Sequence, residues 1–313
     1  MAPIIKIALI QLHPKRLDPE GNFLNAETYI REAAGEGAHL AVLPEYHLTS
    51  WAPHDERFAT CCRESAPVYL EKYQSLAREL GIAIVPGTLV EGENDDLINV
   101  AYWIDRHGEV AGRYTKKNLW HNERPHLAAD PSRHEAFETD LLASHTDGEQ
   151  GARGLKVGML VCWDMAFPEA MRELVLDGAR VVVAPAFWLE DQYRDAKGRV
   201  VGAESEKVFL DAVVVARACE SSAAVVFVNA GGVKGGGGKG SEEEGEARYC
   251  GVSQVGMPLV GSLGRLGNEE GMSVVDVDLE VLDVAEGGYK VRADLAREGW
   301  HYGYSLVKEE EGA

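Results

Sequence analysis

The sequence predicts an α/β protein built as a four-layer α-β-β-α sandwich, and three observations lead there. Short β-branched apolar runs alternate with segments of helical periodicity, which is the mark of the α/β class. The run Ile5-Lys6-Ile7-Ala8-Leu9 is echoed by Leu155-Lys156-Val157-Gly158-Met159. Each of these leads through a helical stretch to a second matched pair of runs, Ala38–Tyr46 (AHLAVLPEY) and Ala179–Phe187 (ARVVVAPAF). Two related β–α–β halves, their sheets stacked face to face with helices outside, account for the echo. The competing account is compositional, because buried parallel strands are all rich in Val, Ile and Leu and resemble one another for that reason alone.

In chain order, the apolar runs read as strands are Ile4–Leu12, His39–Leu43, Ile82–Leu89, Asn99–Ile104, Glu109–Tyr114, Leu155–Cys162, Arg180–Ala184, Ala224–Asn229 and Ser273–Val277. Between them, Phe23–Ala34, Val68–Leu80, Pro168–Leu176 and Ala203–Ser221 carry apolar residues at three- and four-residue spacing and read as helices. Asp105-Arg106-His107-Gly108 is a turn joining two of the strands. The glycine-rich stretch Gly231–Gly245 reads as a flexible surface loop; it lacks the GxxxxGK[ST] spacing of a phosphate cradle and runs into acidic residues. No linker interrupts the chain, so one domain is expected over residues 1–290, with a C-terminal extension at 291–313.

Composition removes several function classes. Apolar residues make up 45% and charged residues 26%, as in a globular protein, and no apolar run approaches the roughly 20 residues of a membrane span. The N-terminus lacks the basic-then-apolar layout of a signal peptide, so a cytoplasmic protein is expected. A net charge of −20 repels nucleic-acid phosphates and anionic lipid and leans weakly toward neutral or cationic substrates. Five cysteines form no CxxC pair and ten histidines form no HExxH, so neither a disulfide framework nor a metal site is expected.

One cysteine stands apart. Cys162 closes an apolar run and precedes Trp163-Asp164-Met165-Ala166-Phe167-Pro168-Glu169, a strand, sharp turn and helix start. Backbone N–H groups at such a turn favour a thiolate and then an oxyanion. Cys61, Cys62, Cys219 and Cys250 have no such setting and read as small core residues. A nucleophilic thiol needs a base and a cation for the oxyanion. Glu45 ends the run His39–Pro44, and Lys116 and Lys117 follow the run Glu109–Tyr114. Taken singly, each reads as a surface charge or cap; taken together, they come from three strand ends, where α/β proteins gather their ligands.

These residues fall into three ordered motifs: Ala41-Val42-Leu43-Pro44-Glu45, Gly112-Arg113-Tyr114-Thr115-Lys116-Lys117-Asn118-Leu119, and Gly158-Met159-Leu160-Val161-Cys162-Trp163-Asp164. The set resembles the nitrilase superfamily of carbon–nitrogen hydrolases from Lys6 to about Leu279. The resemblance implies Glu45 as general base, Lys116 rather than Lys117 as oxyanion stabiliser, and Cys162 as nucleophile, with the Trp163 backbone N–H as a second oxyanion donor. It implies a second glutamate after the lysine, for which Glu123 is the candidate and Glu135 and Glu138 are rivals. Tyr46, Trp120, Phe187 and Trp188 are candidates for the pocket wall, against ordinary core packing. Arg217-Ala218-Cys219-Glu220, Asn229 and Asp276-Val277-Asp278-Leu279 match weaker family segments and read as structural.

Two residues depart from the pattern: Asn118 stands where the family usually has His, and Ala166 where Arg is frequent, which removes a local cation. The resemblance implies a small amide or carbamoyl substrate cleaved through an acyl-thioester, without metal or organic cofactor, in a homodimer or larger assembly. Cys162-Trp163-Asp164 favours the amidase branches, with nitrile hydrolysis as the rival. A catalytically silent binding or scaffold protein is the alternative of another class.

Overall fold

A computed structural model describes residues 3–142, 154–190, 195–202, 204–240 and 247–297. The first sheet is centred on β1 (Ile4–Gln11), β2 (Leu40–Val42) and β3 (Ala83–Val85), paired in parallel. Helices α1 (Pro19–Gly35) and α2 (Phe58–Leu80) make the crossovers. β4 (Thr88–Glu93), β5 (Asp96–Ile104) and β6 (Val110–Thr115) extend the sheet on the β3 side. The second sheet repeats the plan. β8 (Leu155–Met159), β9 (Val181–Ala186) and β10 (Ala224–Asn229) are parallel, and α3 (Pro168–Leu176) and α4 (Ser205–Ser221) cross over.

Both parallel triplets are flanked by antiparallel strands at each side. β13 (Gly271–Asp278) pairs with β1 and β5 with β3; β7 (Phe137–Thr139) pairs with β8 and β11 (Gln254–Met257) with β10. β12 (Gly261–Leu263) closes the edge beyond β11. The echo between the two halves therefore corresponds to one strand–helix path traced twice.

Alternation along the strands stacks the layers. In β1, Ile5, Ile7 and Leu9 are buried in the cluster that holds Val157, Met159, Val183 and Val226 of the second sheet. The intervening Ala8 and Ile10 join Phe23, Ala26 and Ile30 of α1 and Tyr73 of α2. Leu40 and Val42 of β2 likewise face the second sheet, and Ala41 faces the helices. A period of two that is apolar on both faces fits a strand only if both faces are covered.

The structure shifts several boundaries. The strand expected at Ile82–Leu89 is two strands, interrupted at Pro86 and Gly87, where the chain steps from one side of β5 (β3) to the other (β4) without reversing direction. Gly87 adopts φ +58°, and a Cβ there would lie 1.8 Å from the Pro44 carbonyl oxygen, so only glycine fits beside Glu45. α2 begins at Phe58, ten residues before the expected start, with Pro67 inside it; burial of Phe58, Cys62 and Ala66 offsets the lost hydrogen bond. The strand expected to run to Cys162 ends at Met159.

Gly231–Gly240 does not behave as a free loop: the Gly235 and Gly237 N–H groups donate to the Glu269 carboxylate at 2.9 and 2.7 Å. Residues 241–246 of that stretch lie outside the described residues. β11, β12 and the helix α5 (Leu279–Tyr289) had no expected counterpart. α6 (Val291–Leu295) is fastened by Arg292, which donates to the Val175 and Ala179 carbonyls at 2.8 and 2.7 Å. The remainder of the expected C-terminal extension, residues 298–313, lies outside the described residues. No described helix is long and apolar enough to cross a membrane.

Candidate active site

Glu45, Lys116, Glu123 and Cys162 come together where the carboxyl ends of the two sheets meet. Glu45 follows β2, and Lys116 follows β6, where its N–H donates to the Asn99 carbonyl at 2.8 Å. Lys116 is fully buried, and its Nζ donates at 2.8 Å to Glu45 Oε1 and at 2.8 Å to Glu123 Oε1. The neighbouring Lys117 instead reaches Asp130 at 2.6 Å and Ser132 at 2.7 Å on the outside. Glu135 and Glu138 are exposed, so Glu123 is the acid that meets the lysine.

Each carboxylate is held from several sides. Glu45 Oε1 also accepts from Asn99 Nδ2 at 2.8 Å, and Oε2 accepts from the Phe187 N–H at 2.9 Å. Glu123 accepts from the Tyr46 hydroxyl at 2.5 Å and from the Trp120 N–H at 2.7 Å. A buried ion pair stays in place only when its remaining acceptors are satisfied, and here they are.

Cys162 opens a 3-10 turn, Cys162–Ala166, with φ +48°, a left-handed conformation rarely taken by non-glycine residues. Asp164 holds that elbow. Its Oδ2 accepts from the Val161 N–H at 2.9 Å and the Tyr114 hydroxyl at 2.8 Å, and its Oδ1 from the Asn118 N–H and Nδ2 at 2.9 and 2.8 Å. Asn118, a departure from the family pattern, thus supplies two donors that bind the segment after Lys116 to the cysteine turn. At the other departure, the Ala166 carbonyl accepts from Arg217 Nη2 at 3.3 Å, so a guanidinium reaches this turn from α4 without lining the cavity.

Burial sets the protonation states. Desolvation, reinforced by the charge of Glu123 and opposed by Lys116, pushes the Glu45 carboxyl up to about 7. Burial pulls on Lys116 in the neutralising direction, but the charges of Glu45 and Glu123 outweigh it and hold the ammonium protonated. Burial and then the Glu45 charge raise the Cys162 thiol well above the usual range, against the thiolate expected from its strand-end position. Both effects favour the neutral thiol as the resting form of Cys162.

A cavity of about 140 Å³ opens above Cys162, Glu45 and Glu123. Tyr46, Trp120, Trp163, Phe187 and Trp188 all line it. Trp188 is fixed by Asn229, whose Oδ1 accepts its N–H at 2.7 Å and whose Nδ2 donates to its carbonyl at 3.2 Å. Sequence reasoning missed Asn99, Trp51, Asn122 and Glu206 at this site. Nothing in their local patterns separates them from strand, loop or helix residues elsewhere, and only the packing of distant segments reveals them.

Residues 6–286 match the family description of the carbon–nitrogen hydrolases. A nitrilase of Pyrococcus abyssi is 31% identical over 185 residues, 58% of this chain and 65% of that protein. A 2-oxoglutaramate amidase of Bacillus subtilis is 28% identical over 264 residues, 84% of this chain and 86% of that protein. Among solved structures, a carbon-nitrogen hydrolase from Helicobacter pylori superposes with TM-score 0.78 at 18% identity, covering 93% and 94% of the two chains. A mutant of the Nesterenkonia sp. AN1 amidase, with acrylamide added at its active-site cysteine, gives TM-score 0.67 at 25% identity over 91% and 98%. The chain belongs to the carbon–nitrogen hydrolase family, within the nitrilase superfamily. It is an amidase-like enzyme with that superfamily's αββα fold.

Proposed function

We propose that the enzyme hydrolyses the C–N bond of a small amide or carbamoyl compound through an acyl-thioester on Cys162. The observation that carries this reading is a fully buried ammonium, Lys116, held at 2.8 Å by each of two carboxylates, Glu45 and Glu123, which themselves line the cavity that holds a strained cysteine. Glu45 takes the thiol proton as sulfur bonds to the carbonyl carbon, which spares the site a free thiolate in a desolvated setting. Lys116 and the Trp163 N–H stabilise the oxyanion. The C–N bond breaks and Glu45 returns the proton to the departing ammonia or amine. Water then attacks the thioester, Glu45 accepts its proton, and the C–S bond breaks as Glu45 passes that proton to sulfur, restoring the thiol and the carboxylate. Glu123 keeps Lys116 aimed and charged throughout. A cavity near 140 Å³ is the size of one that takes a benzene-sized guest, so the acyl portion is small.

Nitrile hydrolysis is the second reading, supported by the likeness to the Pyrococcus nitrilase. A silent scaffold has no use for a buried Glu–Lys–Glu array. Ammonia release from short amides, carbamoyl compounds and nitriles decides among the three. Amide turnover lost in Cys162→Ala supports the proposal; nitrile turnover alone shifts it to the second reading. Equal activity in the two proteins sinks the nucleophile assignment.

The same reading places the enzyme in the cytoplasm as a homodimer or larger assembly. Five free cysteines suit a reducing compartment. Large apolar side chains left exposed, Val208 on α4 and Leu259 and Val260 between β11 and β12, suit self-association.

A further inference from the structure

The cavity holds a third acid that the chemistry above leaves unused. Glu206 lies in the first turn of α4, is 8% exposed, and lines the same cavity as Cys162. One of its oxygens, Oε2, accepts from the Trp188 indole Nε1 at 2.6 Å. Among the described residues no cation pairs with it; the adjacent Lys207 turns to Glu190 and Glu204. Glu45 and Glu123 share the charge of Lys116, whereas Glu206 faces the cavity with its charge uncompensated by any described residue. A desolvated carboxylate in that position is costly until a cation meets it.

The surroundings favour the same partner. Trp163 lies between Trp120 and Trp188, with ring centroids 4.4 and 5.5 Å apart, and indole faces attract cations. The described lining contains no Lys, Arg or His side chain. An overall charge of −20 raises the local concentration of cationic solutes and depletes anionic ones.

We infer that Glu206 and the tryptophans beside it form a subsite for a cationic group, so the substrates are short amides or carbamoyl compounds carrying a protonated amine or guanidinium at the end away from the scissile bond. This names the substrate class within the amidase reading and rests on it. Asn229 serves the subsite indirectly by fixing the Trp188 backbone.

The test compares hydrolysis of 4-aminobutanamide with that of its neutral isostere pentanamide, in the wild-type chain and in Glu206→Gln. Wild type is expected to favour the cation in kcat/KM by at least about tenfold, and the substitution to lower that ratio by a similar factor, mainly through KM. A wild-type ratio at or below unity, or one unchanged in Glu206→Gln, overturns the inference. Binding of n-butylamine, followed by tryptophan fluorescence with n-butanol as the neutral control, gives a readout that needs no turnover. It is expected to be tighter in wild type than in Glu206→Gln by about tenfold, and equal binding to both counts against the subsite. Selective amine binding with no amide turnover leaves the cation subsite standing and removes the amidase reading. Amide turnover without charge preference does the reverse.

Discussion

At Glu45 and Lys116 the chain accepts a large desolvation cost and offsets it with geometry. Removing Lys116 would leave the buried Glu45 and Glu123 carboxylates without a counter-charge, the situation that destabilises buried ion pairs most. The Glu45 carboxyl, raised to about 7 chiefly by burial, is poised to exchange protons near neutral pH. Only its ionised form accepts the thiol proton. Thus kcat/KM on a short amide should fall as pH drops below about 7, approaching tenfold per unit, and level off above it. Stopped assays of ammonia release from pH 5 to 9 check this, and a flat profile between pH 7 and 5 argues against Glu45 as the base.

At the scale of elements, the cysteine turn is secured by one side chain. Asp164 is fully buried and accepts four hydrogen bonds from three segments: Val161 before the cysteine, Tyr114 on β6, and Asn118 after Lys116. It links the Cys162 turn to the strand end that presents the ammonium. Asp164→Asn keeps the shape but sets an amide donor against existing donors. It should cost on the order of 2 kcal/mol of stability. It should also lower kcat by at least about tenfold as the Cys162–Lys116 geometry loosens. Urea titration and amide kinetics on the purified variant measure the two effects; activity within about twofold of wild type would contradict the positioning role.

Glu45, Lys116 and Cys162 are legible in the sequence through three ordered motifs and the family resemblance those carry, because position near a strand end leaves each one readable as a surface charge, a cap or a core residue. Glu123 is legible only as one of three acids after the lysine. The supports are hidden: Asn99 looks like any strand asparagine, and Glu206 like a polar residue in a helix's first turn. Their roles arise from contacts across the chain, such as the 54 residues separating Asn99 from Glu45, and a local pattern carries no record of these. The parallel strands and their helices are legible from alternation and period, whereas β11 and β12 are short and lie in glycine-rich sequence. The first turns of α2 are obscured by Pro67, because proline ordinarily interrupts a helix.

Over the whole molecule, two buried groups near the site pull acid stability in opposite directions. His47 is buried against the Tyr73 hydroxyl at 2.7 Å, and burial lowers its imidazole from 6.5 to about 3. The unfolded chain therefore binds this proton first, and His47 removes stability as pH falls below 6.5. Glu45 is raised from 4.5 to about 7, so the folded chain binds its proton first and gains stability as pH falls through that range. Between pH 6.5 and 4.5 the two contributions largely cancel. Removing one exposes the other: relative to wild type, His47→Gln should gain roughly 1.4 kcal/mol of stability per pH unit lowered across that window. Denaturant titrations of both proteins at several pH values measure it, and parallel pH dependences would contradict the assignment.

The central claim is a covalent acyl-enzyme at Cys162. The most direct measurement is rapid acid quenching of the wild-type enzyme during turnover of a short amide, followed by intact-mass and peptide mass analysis. The account predicts a mass increase equal to the acyl group, located on the peptide containing Cys162 and absent from Cys162→Ala. Turnover that persists in Cys162→Ala, with no acyl mass on any peptide of the quenched wild type, would contradict it.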